Sequence, residues 1–142
     1  MMMGSLAQGD AVEVYPLRSD EDVVRIRKIV RDYTVRIGMS LVDQTKTITA
    51  ASELARNTLR YGGGGDARIE QVQEGARQGV RISFIDQGPG IADVALALTD
   101  GYTTGGGLGL GLGGTKRLTD EMTIDSAPGR GTTVTMTKWR NR

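Results

Sequence analysis

Glu53-Leu54-Ala55-Arg56-Asn57 places a carboxylate and a carboxamide four residues apart, so on a helix both share one face. A neutral Asn57 carbonyl oxygen suits Mg2+, an oxygen-seeking ion. A Glu53 carboxylate one turn away can take a proton from an attacking hydroxyl. Taken alone, the pair reads first as a solvated helix face with Glu53 salt-bridged to Arg56. Asp86-Gln87-Gly88-Pro89-Gly90 follows directly on an apolar run. A carboxylate there can accept a hydrogen bond from an amino group such as adenine N6, and Gly88 and Gly90 leave room for a flat ring. The same residues also spell an ordinary turn. Gly105-Gly106-Gly107-Leu108-Gly109-Leu110-Gly111-Leu112-Gly113-Gly114 can expose backbone N–H groups to phosphate at the start of a helix. Its alternating leucines argue against a flexible linker. Gly131-Thr132-Thr133 adds hydroxyls that reach a base directly or through water, and by itself is ordinary strand chemistry.

The glycine run contains a formal Gly-x-Gly-x-x-Gly from Gly109 to Gly114, but it follows a loop-like Asp100–Thr104 and not a buried strand. A Rossmann turn is therefore not indicated. No Gly-Lys-Ser/Thr is present, so this is not a P-loop either.

Composition narrows the chemistry further. The chain has 142 residues, suited to one compact domain, and no cysteine or histidine. Disulfides, thiolate metal sites, Ser-His or Cys-His pairs and a phosphohistidine are all excluded. Eighteen basic and 17 acidic residues leave a net charge of +1, which gives no electrostatic case for nucleic acid or an anionic membrane. The apolar runs are too short to span a bilayer, and Met1–Asp10 lacks the pattern of a signal peptide. That first segment reads as disordered, residues 11–142 as the folded domain, and the cytoplasm as its location.

The elements that must carry these residues follow from periodicity. Val12–Leu17 predicts a short edge strand, with Pro16 near its end. Ser19 caps a helix with apolar positions Val23, Ile26, Val30, Tyr33 and Ile37, closed by Gly38, and Asp22 forms a loose capping box. Ser40 caps a second helix to about Tyr61, stopped by Gly62, with Leu41, Ile48, Ala51, Leu54 and Ala55 on its apolar side. Ala67–Gln73 and Val80–Asp86 form a hairpin around a Gly75–Gly79 turn. Asp93 caps a short helix through Leu98. A helix spans about 109–120, and Met122–Ser126 and Thr132–Trp139 form a second hairpin. The order β-α-α-β-β-α-loop-α-β-β predicts an α+β fold: a two-layer sandwich with a mixed, mostly antiparallel sheet and helices on one face.

Taken in this order, the four motifs resemble the GHKL ATPase superfamily, of the Bergerat fold. Glu53 to Asn57 is similar to its N box, Asp86-Gly88-Gly90 to its G1 box, Gly105 to Gly111 to its G2 box, and Gly131-Thr132 to its G-T element. A narrower likeness is to the RsbT-like serine/threonine-protein kinases of the stressosome. It rests on Val42-Asp43-Gln44, Ser52–Asn57, Ile69-Glu70-Gln71-Val72, Asp86–Ile91, Asp100-Gly101, Gly106–Gly109, Lys116-Arg117-Leu118 and Trp139. The resemblance implies a kinase using ATP and Mg2+, with Glu53 as base, Asn57 on Mg2+ and Asp86 reading adenine. Gly88 and Gly90 would flank the base, Gly105, Gly106, Gly107, Gly109 and Gly111 would wrap the phosphates, and Thr132 would support the adenine end. It implies STAS-domain proteins (RsbS/RsbR-like) as substrates and a PP2C-type phosphatase (RsbU-like) as a partner to activate. Two alternatives are an RsbW-type anti-sigma factor kinase and a nucleotide-dependent binding module with weak catalysis. The segment between Asp100 and Gly105 departs from the pattern in carrying no Lys or Arg, so the group that faces a γ-phosphate is not evident; Lys116 and Arg117 can serve there or equally face solvent or a partner.

Overall fold

Residues 11–98 and 111–141 are described by the computed structural model. The strand β1 (Glu13–Leu17) leads into two long helices, α1 (Asp20–Ile37) and α2 (Leu41–Arg60). A hairpin follows, β2 (Gly65–Glu74) and β3 (Arg77–Asp86), then the single turn α3 (Val94–Ala97). A short α4 (Gly111–Lys116) precedes the second hairpin, β4 (Glu121–Ser126) and β5 (Thr132–Trp139). The five strands make one sheet in the order β1-β2-β3-β5-β4, and every pairing is antiparallel.

The helix ends form where the side chains can satisfy orphan amides. Ser19 Oγ accepts from Asp22 N at 3.3 Å and Ser40 Oγ from Asp43 N at 3.1 Å. The Asp22 carboxylate does not return to the cap. It accepts from the Arg18 amide and from Arg25 Nη1, each at 2.8 Å, and so ties β1 to α1. Gly38 ends α1 in the left-handed conformation, with its amide bonded to Thr34 and Val35 carbonyls.

The five apolar positions read in α1 are all buried. They pack with Ala50, Ala51, Leu54 and Ala55 of α2 over the face of the sheet that carries Ala67, Ile69, Val80, Ile82, Phe84, Val134 and Met136. The alternation of Val80, Ile82 and Phe84 with Arg81 and Ser83 thus sorts the two faces of β3. Burying each such large side chain contributes about 1.5–3 kcal/mol relative to exposure. The alanines let α2 lie close to the sheet, which brings its last turns to the end of β3.

Three local expectations shift. Leu41 is 76% exposed, because as the first residue of α2 it precedes the buried stripe. The first hairpin closes more tightly than Gly75–Gly79, since Glu74 already pairs with Arg77, and their side chains form an ion pair. The helix expected over about 109–120 gives α4 at Gly111–Lys116, followed by turn backbone. The expected disordered segment, residues 1–10, lies outside the described residues.

The far end of the sandwich is held by charge. Lys138, on the helix-facing side of β5, is buried with its Nζ 3.6 Å from Asp43 and 3.5 Å from Asp120. Asn141 Nδ2 donates to the other Asp43 oxygen at 3.0 Å, and Trp139 N donates to Asp120 at 2.6 Å. The start of α2 is thereby fastened to the last strand. No helix among the described residues is long and apolar enough to cross a membrane.

Candidate functional site

Between the C-terminal half of α2 and the ends of β3 and β5 lies a cavity of about 510 Å3. Helix α2 contributes Glu53, Asn57 and Arg60 to its wall, and Tyr61 and Gly62 follow directly. Asp86 enters from the last residue of β3 and Thr132 from the first residue of β5, the two being register partners. Gly90, Ile91, Asp93 and Leu96 line the opposite wall, with Gly111 and Leu112 of α4 closing it.

Glu53, Asn57, Asp86, Gly90, Gly111 and Thr132, singled out from sequence, therefore meet at one cavity. Gly88 stands behind the wall and not on it: a β-carbon there would come within 2.7 Å of Gly62 Cα. Gly105, Gly106, Gly107 and Gly109 lie outside the described residues.

The Asp86 carboxylate is held by the main chain. Oδ1 accepts from Gly88 N at 2.8 Å and from Thr132 N at 3.2 Å. Oδ2 makes no hydrogen bond to any described residue and is left as an acceptor for a donor entering the cavity.

A second set of bonds frames this carboxylate. Ser126 Oγ accepts from Ile91 N at 2.8 Å, donates to Gly131 O at 3.0 Å and lies 2.8 Å from Thr132 Oγ1. With the Ser126 proton given to Gly131, the Thr132 proton goes to Ser126, and Thr132 Oγ1 offers only lone pairs to a ligand or water. Gly129 N donates to Pro89 O at 2.7 Å. Gly90 has φ +81 and presses so close to Ala127 that a β-carbon would lie 2.0 Å from its carbonyl oxygen, so only glycine fits. The β4–β5 turn and the 87–91 loop are thus stapled together at the rim.

Glu53 is 9% exposed. Its Oε1 accepts from Arg56 Nη1 at 2.8 Å, and Oε2 has no partner among the described residues. The Glu53–Arg56 pair of a simple polar helix face is formed, yet the carboxylate faces the cavity and only Arg56 is half exposed.

Arg60 and Tyr61 were missed from sequence, although they lie three and four residues after Asn57 and so on its face. Lys116 and Arg117 are exposed and do not line the cavity, whereas Arg60 does. Among the described residues no cluster of three His, Cys, Asp or Glu is placed to hold a metal by itself. The donor set instead fits Mg2+ held by one neutral oxygen of Asn57 together with ligand phosphates, the usual manner for that ion.

Residues 42–142 match the family described as histidine kinase-, DNA gyrase B-, and HSP90-like ATPase. The chain is 43% identical over 123 residues to the serine/threonine-protein kinase RsbT of Bacillus subtilis (strain 168), covering 87% of this chain and 92% of that one. It is 29% identical over 119 residues to the anti-sigma F factor of Thermoanaerobacter sp. (strain X514), covering 80% and 82% respectively. The solved structure of the RsbU and RsbW domains of a Mycobacterium tuberculosis protein superposes with a TM-score of 0.61 at 22% identity. That match covers 92% of this chain and spans 33% of the solved one, and it speaks for the fold alone.

Proposed function

The chain belongs to the histidine kinase-, DNA gyrase B-, and HSP90-like ATPase family, and from that premise we propose that it is a Mg2+-ATP-dependent serine/threonine-protein kinase acting on another protein. The observation that carries the reading is the convergence of Glu53, Asn57 and Asp86 on one cavity of about 510 Å3, wide enough for a nucleotide. The 43% identity to RsbT over most of both chains supports the choice of acceptor hydroxyl. The absence of histidine from the sequence removes self-phosphorylation on that residue.

In this reading Asp86 Oδ2 accepts from the adenine amino group, because Oδ1 is already taken by two main-chain donors. Gly90 and the stapled rim hold the flat ring against the backbone, and Thr132 accepts from a water or base donor. Gly88 supports the carboxylate from behind, and Gly105 to Gly111 wrap the phosphates. Asn57 offers its side-chain oxygen to Mg2+, which when bound neutralises charge on the transferring phosphoryl group. Arg60 supplies a cation on the cavity wall where the 100–105 segment has none. Glu53 Oε2 takes the proton of the serine or threonine hydroxyl as its oxygen attacks the γ-phosphorus and ADP leaves. Arg56 keeps Oε1 engaged and so aims the other oxygen.

The acceptors we propose are STAS-domain scaffold proteins (RsbS/RsbR-like), and the partner activated after release is a PP2C-type phosphatase (RsbU-like), all in the cytoplasm. Transfer of radiolabelled γ-phosphate to a STAS partner tests the kinase, with Glu53→Ala as control. Equal, weak labelling by both proteins would leave only a binding module. ADP and ATP titrations with and without Mg2+ test the site itself. The likeness to an anti-sigma F factor sustains a second reading, an RsbW-type anti-sigma kinase. Co-purification with an RNA polymerase sigma subunit and not with STAS proteins would select it.

A further inference from the structure

Gly62 follows α2 with an ordinary backbone conformation, so its φ does not require glycine. Its surroundings do. A β-carbon at 62 would lie 2.3 Å from Asp86 Cγ and 2.4 Å from Asp86 Oδ2, far inside van der Waals contact. Gly88 also crowds this residue, a β-carbon there falling 2.7 Å from Gly62 Cα. Asp86 has no easy way to yield, because its Oδ1 is fixed by the amides of Gly88 and Thr132. Gly62 is itself anchored, its amide pointing to the carbonyls of Asn57 and Thr58 at 3.3 and 3.2 Å.

From this contact we propose that Gly62 is a positioning residue for Asp86: its bare α-carbon backs the carboxylate so that Oδ2 stays turned to the cavity as an acceptor. It also couples the two ends of the site, since the residue that backs Asp86 hangs from the turn of α2 that carries Asn57. A side chain at 62 displaces the carboxylate and costs both affinity for an amino-bearing purine and discrimination against a purine with a carbonyl at that position, which a carboxylate cannot pair with. The proposal rests on the nucleotide reading above and adds to it a residue that acts through Asp86.

The test is calorimetric titration of the full chain with Mg2+-ADP and Mg2+-GDP, comparing wild type, Gly62→Ala and Gly63→Ala. Gly63 has φ +76, and a β-carbon placed there meets nothing within 4 Å, so alanine strains the loop without touching Asp86. Gly62→Ala is expected to weaken ADP at least tenfold and to narrow the ADP-to-GDP preference, with Gly63→Ala within twofold of wild type. Equal losses in both variants, or an unchanged preference in Gly62→Ala, overturn the proposal. A wild-type chain that binds no ADP overturns the nucleotide reading itself. Should Gly62→Ala unfold, Gly62→Ala/Asp86→Gly provides the second measurement. Recovery of its melting temperature toward that of Asp86→Gly alone supports the contact, and a double variant as unstable as Gly62→Ala refutes it.

Discussion

Arg56 Nη1 donates to Glu53 Oε1 at 2.8 Å while Glu53 Oε2, at the cavity wall, has no partner among the described residues. Arg56 is half exposed while Glu53 is buried at the cavity, so the pair serves to aim the carboxylate. Glu53→Gln keeps shape and burial but cannot take a proton. Phosphoryl transfer should fall by roughly 10²- to 10⁴-fold with the ADP dissociation constant within about twofold. Single-turnover transfer alongside a binding titration checks this, and a variant that loses binding and transfer together would make Glu53 a structural residue.

The Asp86 carboxylate divides its labour between its two oxygens, Oδ1 for the protein and Oδ2 for a ligand donor. An asparagine at this position can retain one carbonyl for the Gly88 and Thr132 amides, but it then presents an NH2 to the cavity. Donor would face donor. Asp86→Asn is expected to weaken ADP by about 2–3 kcal/mol, on the order of 30- to 200-fold, with a small change in melting temperature. Affinity close to that of wild type would place the base elsewhere.

Much of this architecture is legible from local pattern. The apolar spacing of Val23, Ile26, Val30, Tyr33 and Ile37 marks the buried stripe of α1, and Ser19 and Ser40 mark both long-helix starts. Thr132–Trp139 has the bounds read from sequence because alternation and a preceding glycine turn agree there. What local pattern does not contain is the meeting of distant segments. Nothing near Gly62 announces Asp86, 24 positions on, as its neighbour. Ser126 looks like a strand end until Ile91 and Thr132 are placed around it. Arg60 and Tyr61 lie within helical reach of Asn57, but their residue types alone do not distinguish them from an ordinary helix end.

Lys138 is buried between Asp43 and Asp120, near the end of β5 away from Thr132, and is tied to α2 through Asp43. Removing the cation leaves the buried Asp43 uncompensated, which is strongly destabilising, whereas the intact pair adds little over an apolar match. Lys138→Ala should lower stability by about 3 kcal/mol. Lys138→Met/Asp43→Leu should recover most of the loss, as measured by urea unfolding. A single variant as stable as wild type would mean that solvent reaches Asp43 and screens it.

At the opposite edge of the sheet, Tyr33 Oη donates to Glu13 Oε1 at 2.5 Å and Tyr15 Oη donates to the same oxygen at 3.0 Å. The bond from Tyr33, then that from Tyr15, holds the Glu13 carboxyl below its ordinary value of 4.5. Burial first, and the bond to Glu13 second, push the Tyr33 hydroxyl above its ordinary 10.0. The signs follow by linkage. The folded chain binds the Glu13 proton less readily than the unfolded one, so this contribution is complete above about pH 4.5 and is lost as pH falls through the lowered value. The folded chain keeps the Tyr33 proton longer than the unfolded one, so that contribution is complete below pH 10.0 and is lost as pH rises beyond it. Urea midpoints from about pH 3 to 11 should therefore fall at both ends for wild type. Glu13→Gln should flatten the acid limb, and Tyr33→Phe, which removes both the titrating hydroxyl and the donor to Glu13, should flatten both. Parallel profiles for all three proteins would show that β1 and α1 are not joined by this carboxylate in solution.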